Sequence, residues 1–196
     1  MDADDRRAEF GMPVTDAVLV ASPASSPLTA DLTAALLQRG IAVHEPMALP
    51  AGKPHVVIAL AHVVAGADLP ASDRDGFADE VSTLVEPVFS GLRQAIVCMR
   101  ETGGAIVTLL IGAAGRPGND LLFEAVGGAV ANLTRSAALH VGKSGYRIRV
   151  NFVRAGRSDA AAIASATDAI VWLGNEDASF VTGVEIDLDR AAHHGR

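Results

Sequence analysis

Residues whose side chains could transfer a proton, attack a substrate or bind a metal are few and scattered in this sequence. The six histidines and the single cysteine, Cys98, are the first candidates, because imidazole and thiolate groups act as bases, nucleophiles and metal ligands. His62 follows an apolar run, and with Glu86 and Glu124 it could form a site for acid–base chemistry. The simpler interpretation of His62 is a half-buried histidine with satisfied hydrogen bonds. Cys98 stands beside Met99 and is expected to be a small core thiol.

Other familiar site motifs do not occur. The sequence has no G-x-S-x-G nucleophile elbow and no Walker phosphate loop. The glycine-rich stretch 112–118 follows a predicted strand and is expected to form a turn. His193 and His194 are expected to lie in a solvated tail rather than to bind a metal. A single cysteine also excludes an internal disulfide and a cysteine-based zinc site.

Length and composition indicate one soluble domain. The chain has 196 residues, of which 49% are hydrophobic, and can bury a core without disulfides or metals. A net charge of -7 argues against a nucleic-acid partner, which would require clustered Lys and Arg. No apolar run is long enough to span a bilayer and no secretory segment is recognised, so a cytoplasmic protein without a membrane partner is expected. We expect a single domain over 14–190, with tails at 1–13 and 191–196.

Apolar periodicity predicts strands that alternate with helices. The helix over about 28–37 is expected to start with Ser26 as N-cap and Pro27 at its first position. The other predicted helices are 75–99, 121–140 and 168–173, and the predicted strands are 17–20, 41–43, 56–60, 105–111, 147–153 and 183–188. This alternation predicts an α/β fold with a doubly wound parallel sheet.

Four segments of these elements resemble the short-chain dehydrogenase/reductase family. Residues 129–136 resemble the helix that follows the catalytic lysine of that family, 146–151 resemble its Arg-Val-Asn strand, and 172–183 resemble its closing segment. Residues 104–107 match the strand that ends in its catalytic serine. The resemblance extends from about residue 17 to 189 and implies a Rossmann-like fold with a nicotinamide-dependent dehydrogenase activity.

The cofactor-binding turn of that family departs from its pattern in this chain. Ser22, Ser26 and Leu28 stand where the three glycines of the family stand, and Pro27 has no N–H to donate. A side chain at each glycine position is expected to spoil the phosphate cradle. We therefore expect this chain to bind no cofactor, with NAD(P) bound by a partner subunit. Glu45 stands about where an acidic residue would hold the adenosine ribose.

The catalytic positions implied by the resemblance also carry other residues. Phe123 stands at the tyrosine position and Gly127 at the lysine position, so neither a transferable proton nor a cation is present there. The serine position falls at Leu110 or Ile111, and the asparagine position falls near 85–86, where no asparagine occurs. These substitutions predict a chain that has no catalytic residues and is not an enzyme by itself.

Two further segments are shorter than in the family. About nine residues, between 45 and 55, replace a strand and a helix, so the sheet is expected to be truncated at its third-strand edge. Few residues separate Ala155 and Gly156 from the last predicted helix, so the substrate lid is expected to be missing.

The leading hypothesis from these features is a non-catalytic subunit that stabilises an active short-chain dehydrogenase in a two-plus-two heterotetramer. The partner would bind through the long helices 75–99 and 121–140 and the closing strand 183–188. It would be an alcohol or 3-hydroxyacyl-CoA dehydrogenase. The two-subunit hydroxyacyl-CoA dehydrogenase of benzylsuccinate breakdown is one heteromeric system of the family that the chain could resemble.

Three alternatives stay open at this point. The chain could be a ligand-sensing or regulatory protein that uses the remaining nucleotide cleft, which predicts ligand binding in isolation. It could be a diverged enzyme with a new site around His62, Glu86 and Glu124, which predicts turnover that His62→Ala abolishes. It could also be a homodimeric structural relic, which predicts no partner at all.

Overall fold

Six strands form one parallel sheet in the part of the chain that the structure describes. The structure is a computed structural model and describes residues 15–22, 27–44, 56–63, 74–112 and 121–189. The elements are β1 (Asp16–Ser22), α1 (Pro27–Gln38), β2 (Ala42–His44), β3 (Val56–His62), α2 (Arg74–Met99), β4 (Gly104–Ile111), α3 (Leu121–Lys143), β5 (Ile148–Ala155), α4 (Ala160–Gly174), a 3-10 turn (Glu176–Ala178) and β6 (Glu185–Asp187). The sheet order is β2-β1-β3-β4-β5-β6, and every neighbouring pair is parallel. The predicted doubly wound α/β fold is confirmed.

The leucine spacing in α1 buries one face of this helix against the sheet. Leu28, Leu32 and Leu36 are buried and pack in one cluster with the even-numbered residues of β3 and with α4. Leu37, at the end of the helix predicted over 28–37, is 56% exposed. Gly40 follows the helix with a φ of 76°, a conformation that glycine adopts at little cost.

The two long helices α2 and α3 cover the opposite face of the sheet. The buried apolar side chains of α2 are those of Val88, Leu92, Ala95 and Met99, at spacings of three and four residues. Pro87 lies in the interior of α2, and the helix continues through it. None of the helices within the described ranges is long and apolar enough to cross a membrane.

The helix α4 is longer than its predicted counterpart. It begins at Ala160 rather than near residue 168, and the side chain of Asp159 accepts a hydrogen bond from the Ala162 N–H at 2.9 Å as an N-cap. Most of the residues between β5 and Asp168 therefore belong to α4. The connection 156–159 from β5 to α4 is short, in agreement with the predicted lack of a long insertion there.

Strand β5 is buried on both faces, although polar and apolar residues alternate in its sequence from Ile148 to Phe152. Helices cover both faces of the sheet, so even Asn151 between Val150 and Phe152 is fully buried. The Asn151 amide donates to the Val181 carbonyl at 3.0 Å and its oxygen accepts from the Val184 N–H at 3.2 Å. This asparagine thus holds the chain that leads into β6.

The arginine two residues earlier in β5 fastens the end of α4. The Arg149 guanidinium donates to backbone carbonyls at the carboxyl end of α4 and in the 3-10 turn, including that of Ala178 at 3.0 Å. A cation at this helix end also interacts favourably with the helix dipole. The Arg-Val-Asn segment carried part of the family resemblance. Its arginine and asparagine form hydrogen bonds that hold the segment between α4 and β6 in place.

Candidate active site

The carboxyl ends of β1 and β3 meet where the connections of the sheet diverge. From β1 the chain proceeds outward to β2, whereas from β3 it proceeds to β4 on the other side. Ligands of doubly wound folds bind in the crevice at this kind of switch point. The helix α1 starts at the same edge, and its first turn contains no acidic side chain. The partial positive charge of such a helix end fits a diphosphate, and therefore fits the diphosphate of a dinucleotide.

His62 is the last residue of β3 and lies at this edge. It pairs in register with Ile111 of β4, and the preceding Ala61 pairs with Ser22 at the end of β1. The imidazole is half-buried, and its Nδ1 atom is buried without a hydrogen-bond partner within the described residues. Burial lowers the pKa of His62 below its ordinary value, which favours a neutral ring at pH 7. The predicted partial burial is confirmed, but the expectation of satisfied hydrogen bonds is wrong for Nδ1.

The residues at the family's serine, tyrosine and lysine positions lie together beside β5. Leu110 and Phe123 belong to one buried cluster with Phe152. Ile111 packs in the cluster on the other face of the sheet, so Leu110 is the residue that shares a side with Phe123. A Cβ atom on Gly127 would lie 3.4 Å from the Leu110 Cδ2 atom. The side chains that meet here are apolar, and none of them carries a transferable proton.

Arg154 of β5 places a guanidinium group directly against these positions. Its guanidinium carbon lies 4.9 Å from the centre of the Phe123 ring, and its Nη1 atom lies 3.4 Å from the position of a Cβ on Gly127. The Arg154 side chain is 13% exposed. Because the cation lies over an aromatic face, a cation–π attraction adds to this packing.

Three carboxylates from two elements surround the same guanidinium. Glu124 of α3 accepts from Nη2 at 2.6 Å and from Nη1 at 3.3 Å. Glu185 and Asp187 of β6 lie within 3.8 Å and 3.7 Å of Arg154. Burial lowers the pKa of Arg154, but the hydrogen bonds and charge of Glu124 and the charges of the two β6 carboxylates outweigh it and raise that pKa. We call Arg154, Glu124, Glu185 and Asp187 the Arg154 cluster.

Sequence reasoning did not identify the Arg154 cluster as a feature of the fold. The available signal was a charged residue within the apolar run from Phe152 to Ala155. Its partners come from α3 and β6, about thirty residues away in each direction along the chain. The hypothesis of a new site around His62, Glu86 and Glu124 is not supported as a cluster, since Glu124 binds Arg154 and no hydrogen bond or ion pair joins His62 to either glutamate.

Several predicted site residues lie elsewhere or outside the described residues. Leu28 is a buried core residue of α1 and Ser22 ends β1. Cys98 is exposed, so its assignment to the core is wrong; it lines a shallow apolar cleft between α2 and β1. The residues whose predicted roles lie outside the described ranges are Ser26, Glu45, residues 113–118, His193 and His194. The described residues contain no group of three or more metal-binding side chains.

A comparison with protein families identifies the chain's relatives. The model of the family described as enoyl-(acyl carrier protein) reductase matches residues 50–168, which is more than half of the chain. The chain belongs to the short-chain dehydrogenase/reductase family. This membership confirms the resemblance found in the sequence and agrees with the parallel sheet and its strand order.

Named relatives of this dehydrogenase/reductase chain include one curated enzyme. The 3-beta-hydroxysteroid dehydrogenase of Comamonas testosteroni is 38% identical over 94 residues, a match that covers 45% of this chain. The match spans 37% of that relative's own length.

Solved structures of short-chain dehydrogenases share the fold. An oxidoreductase from Brucella ovis, in complex with a partially ordered NAD, aligns with a TM-score of 0.65 at 18% identity, covering 88% of this chain and 98% of the other. A short-chain dehydrogenase from Mycobacterium smegmatis aligns with a TM-score of 0.67 at 17% identity, covering 91% and 94%. A short-chain type dehydrogenase/reductase from Mycobacterium marinum gives 0.67 at 17% identity, covering 95% and 97%.

These comparisons correct two predictions made from the sequence. The prediction that the chain is not an enzyme is wrong, because the matched family and the curated relative are a named reductase and a named dehydrogenase. The prediction that the chain binds no cofactor is contradicted as well, because a structure with the same fold holds NAD. Both predictions had treated the replacement of the family's usual residues as the loss of its function.

Proposed function

We propose that this chain is an oxidoreductase that transfers hydride between a nicotinamide dinucleotide and a hydroxyl or carbonyl group on an apolar substrate. The observation that supports the proposal is the topological switch point between β1 and β3, with the amino end of α1 at the same edge of the sheet. The name of the Comamonas relative supports a hydroxysteroid as the first substrate to test. When bound, the dinucleotide would supply the hydride acceptor or donor.

The residues of this chain have to handle the substrate's proton differently from the usual tyrosine and lysine. Phe123 and Gly127 carry no ionisable group, and Leu110 cannot hydrogen-bond a substrate oxygen. We propose that these three residues take no part in proton transfer and that Phe123 and Leu110 contribute packing only. The N–H groups that follow Pro27 in the first turn of α1 would hold the diphosphate, without the glycines that usually let the backbone approach it.

The proposed reaction is tested by turnover with purified chain, NAD⁺ or NADP⁺ and a 3β-hydroxysteroid. We expect reduced nicotinamide to form in proportion to the amount of chain, and no signal when the dinucleotide or the steroid is omitted. A parallel assay supplies NADH or NADPH and an enoyl thioester on acyl carrier protein. Turnover with the enoyl substrate alone would contradict the hydroxyl–carbonyl assignment, and no turnover in either assay would contradict the proposed function.

We also propose that α2, α3 and β6 bind a second short-chain dehydrogenase subunit. Exposed apolar side chains support this proposal: Phe89 and Val97 lie eight residues apart on one face of α2, at 51% and 55% exposure, and Leu139 of α3 is 63% exposed. Phe180 and Val184, which precede β6, are also exposed. Apolar surface of this kind is commonly covered by a partner.

Introduction of negative charge into this apolar surface is expected to break the assembly. In sedimentation, Val97→Glu combined with Leu139→Glu should reduce the mass of the complex formed with a co-expressed short-chain dehydrogenase to that of separate subunits. Leu37→Glu is the matched control, because Leu37 is equally exposed but lies on α1. An unchanged mass for the double variant, or a monomer for the unaltered chain, would overturn this proposal.

A further inference from the structure

The side chain of His62 is placed at the crevice where the proposed reaction would occur. His62 ends β3, beside the end of β1, and is the neighbour in register of Ile111 at the end of β4. Along β3 the even-numbered residues Val56, Ile58 and Leu60 pack with α1. The alternation of a strand puts His62 on that same face, at the edge where α1 begins. This placement puts His62 on the side of the sheet where a ligand at the switch point would lie.

The ring of His62 carries a buried nitrogen that the described residues leave unpaired. Buried polar atoms in proteins have hydrogen-bond partners in the great majority of cases, and an unpaired one costs about 1–3 kcal/mol. Nδ1 of His62 has no such partner within the described residues. A bound ligand that forms this hydrogen bond would remove the cost, so the orphaned nitrogen points to a ligand.

The chemical state of His62 suits proton transfer. Burial lowers the pKa of His62, so the neutral ring, with one N–H and one lone pair, predominates at pH 7. Such a ring can accept a proton from an alcohol, and its protonated form can return the proton to a carbonyl oxygen.

Three other ionisable groups near the carboxyl edge, within the residues that the structure describes, are already engaged. Glu124 is bonded to Arg154 through both carboxylate oxygens, and a carboxylate oxygen of Asp189 accepts the Gly156 N–H. Arg154 has a raised pKa and keeps its proton. Among these groups, His62 is the one with an atom free to exchange a proton with a ligand.

We propose that His62 is the acid–base residue of this enzyme, touching the substrate oxygen through Nδ1. This inference rests on the proposed function. In the oxidation direction the alcohol O–H bond breaks and its proton passes to Nδ1, while the carbinol C–H bond breaks and its hydride goes to the oxidised nicotinamide. The O–H electron pair becomes the second bond of the carbonyl, and His62 later releases the proton to water.

The test compares His62→Gln with His44→Gln. Glutamine keeps a hydrogen-bonding side chain but cannot take up a proton, so kcat for the 3β-hydroxysteroid should fall at least about 100-fold while the Kd for NAD⁺ changes less than about twofold. His44 pairs with Asp16 near the outer edge of the sheet, so its variant should keep the unaltered kcat. Proton NMR of the unaltered chain supplies a second readout, in which NAD⁺ and the steroid together shift the His62 ring resonance.

The outcomes distinguish a failure of the His62 proposal from a failure of the proposed function. Turnover by the unaltered chain that His62→Gln retains would overturn the role of His62 and leave the proposed function standing. No turnover by the unaltered chain would overturn the proposed function and, with it, this role. If His62→Gln fails to fold, a His62 resonance that does not respond to NAD⁺ and steroid in the unaltered chain would overturn the proposal instead.

Discussion

Arg154→Met is expected to lower the free energy of unfolding by about 3 kcal/mol, because it leaves carboxylates on α3 and β6 without their shared cation. The arginine side chain is 13% exposed and is bonded to Glu124 at 2.6 Å, with Glu185 and Asp187 within 3.8 Å. Methionine fills similar volume, so the loss measures the charge rather than a cavity. Urea unfolding followed by circular dichroism provides the measurement.

Arg100→Met is the matched control for Arg154→Met. Arg100 pairs with Glu101 at 3.4 Å, but the two side chains are 56% and 84% exposed. An exposed pair of this kind contributes little, so the control should stay within about 0.5 kcal/mol of the unaltered chain. Equal free energies of unfolding for the Arg154 variant and the control would show that the Arg154 cluster does not stabilise the packing of β6 and α3.

Gly103→Ala is expected to destabilise the chain by about 3 kcal/mol, because an alanine there meets both backbone strain and a steric clash. Gly103 has a φ of 77°, and a Cβ atom would lie 2.5 Å from the backbone oxygen of Arg147. This contact is with the backbone of the residue just before β5, so a side-chain rotation cannot relieve it. The turn joins α2 to β4, and its displacement would disturb the pairing of β4 with β5.

Alanine substitutions at two other glycines distinguish the backbone strain from the steric clash expected for Gly103→Ala. Gly40 has a φ of 76° with nothing within 4 Å of a Cβ, so Gly40→Ala should cost only the conformational strain, about 1–2 kcal/mol. Gly128 lies within α3 with open space around a Cβ, so Gly128→Ala should stabilise the chain by up to about 1 kcal/mol. A cost for Gly103→Ala no larger than that for Gly40→Ala would contradict the close approach to Arg147.

The sequence predicted most of the fold because burial follows local periodicity in these elements. The spacing of Leu28, Leu32 and Leu36 identified α1, and continuous apolar runs identified the strands buried on both faces. The start of α4 was missed because residues 160–166 are mainly alanine, which carries helix propensity but too little apolar contrast to show a stripe. Its N-cap, Asp159, was the available signal.

The candidate site was less accessible to sequence reasoning because its contacts depend on register and packing. Arg154 meets Glu124 and Asp187 only after β5 pairs with β6 and α3 packs on the sheet. The exposure of Cys98 depends on how α2 packs, since Gly91, seven residues earlier on the same face of the helix, is buried. Adjacency to Met99 along the chain does not place the two residues on the same face.

The family comparison contradicts the inference that the sequence analysis drew from the substituted catalytic residues. Phe123 and Gly127 exclude one route for the proton, and from this the sequence predicted an inactive chain. That prediction considered only the positions of the usual catalytic residues. The proposed role of His62 uses a different position, at the end of β3, where its Nδ1 atom has no hydrogen-bond partner within the described residues.

The transfer of deuterium tests the central claim most directly. Purified chain would be incubated with NAD⁺ and a 3β-hydroxysteroid that carries deuterium on its carbinol carbon, and the nicotinamide product would be analysed by mass spectrometry. The account predicts one deuterium in each reduced nicotinamide, since the hydride passes directly from substrate to cofactor. Reduced nicotinamide without deuterium, or none formed at all, would contradict the claim that this chain is a hydride-transferring oxidoreductase.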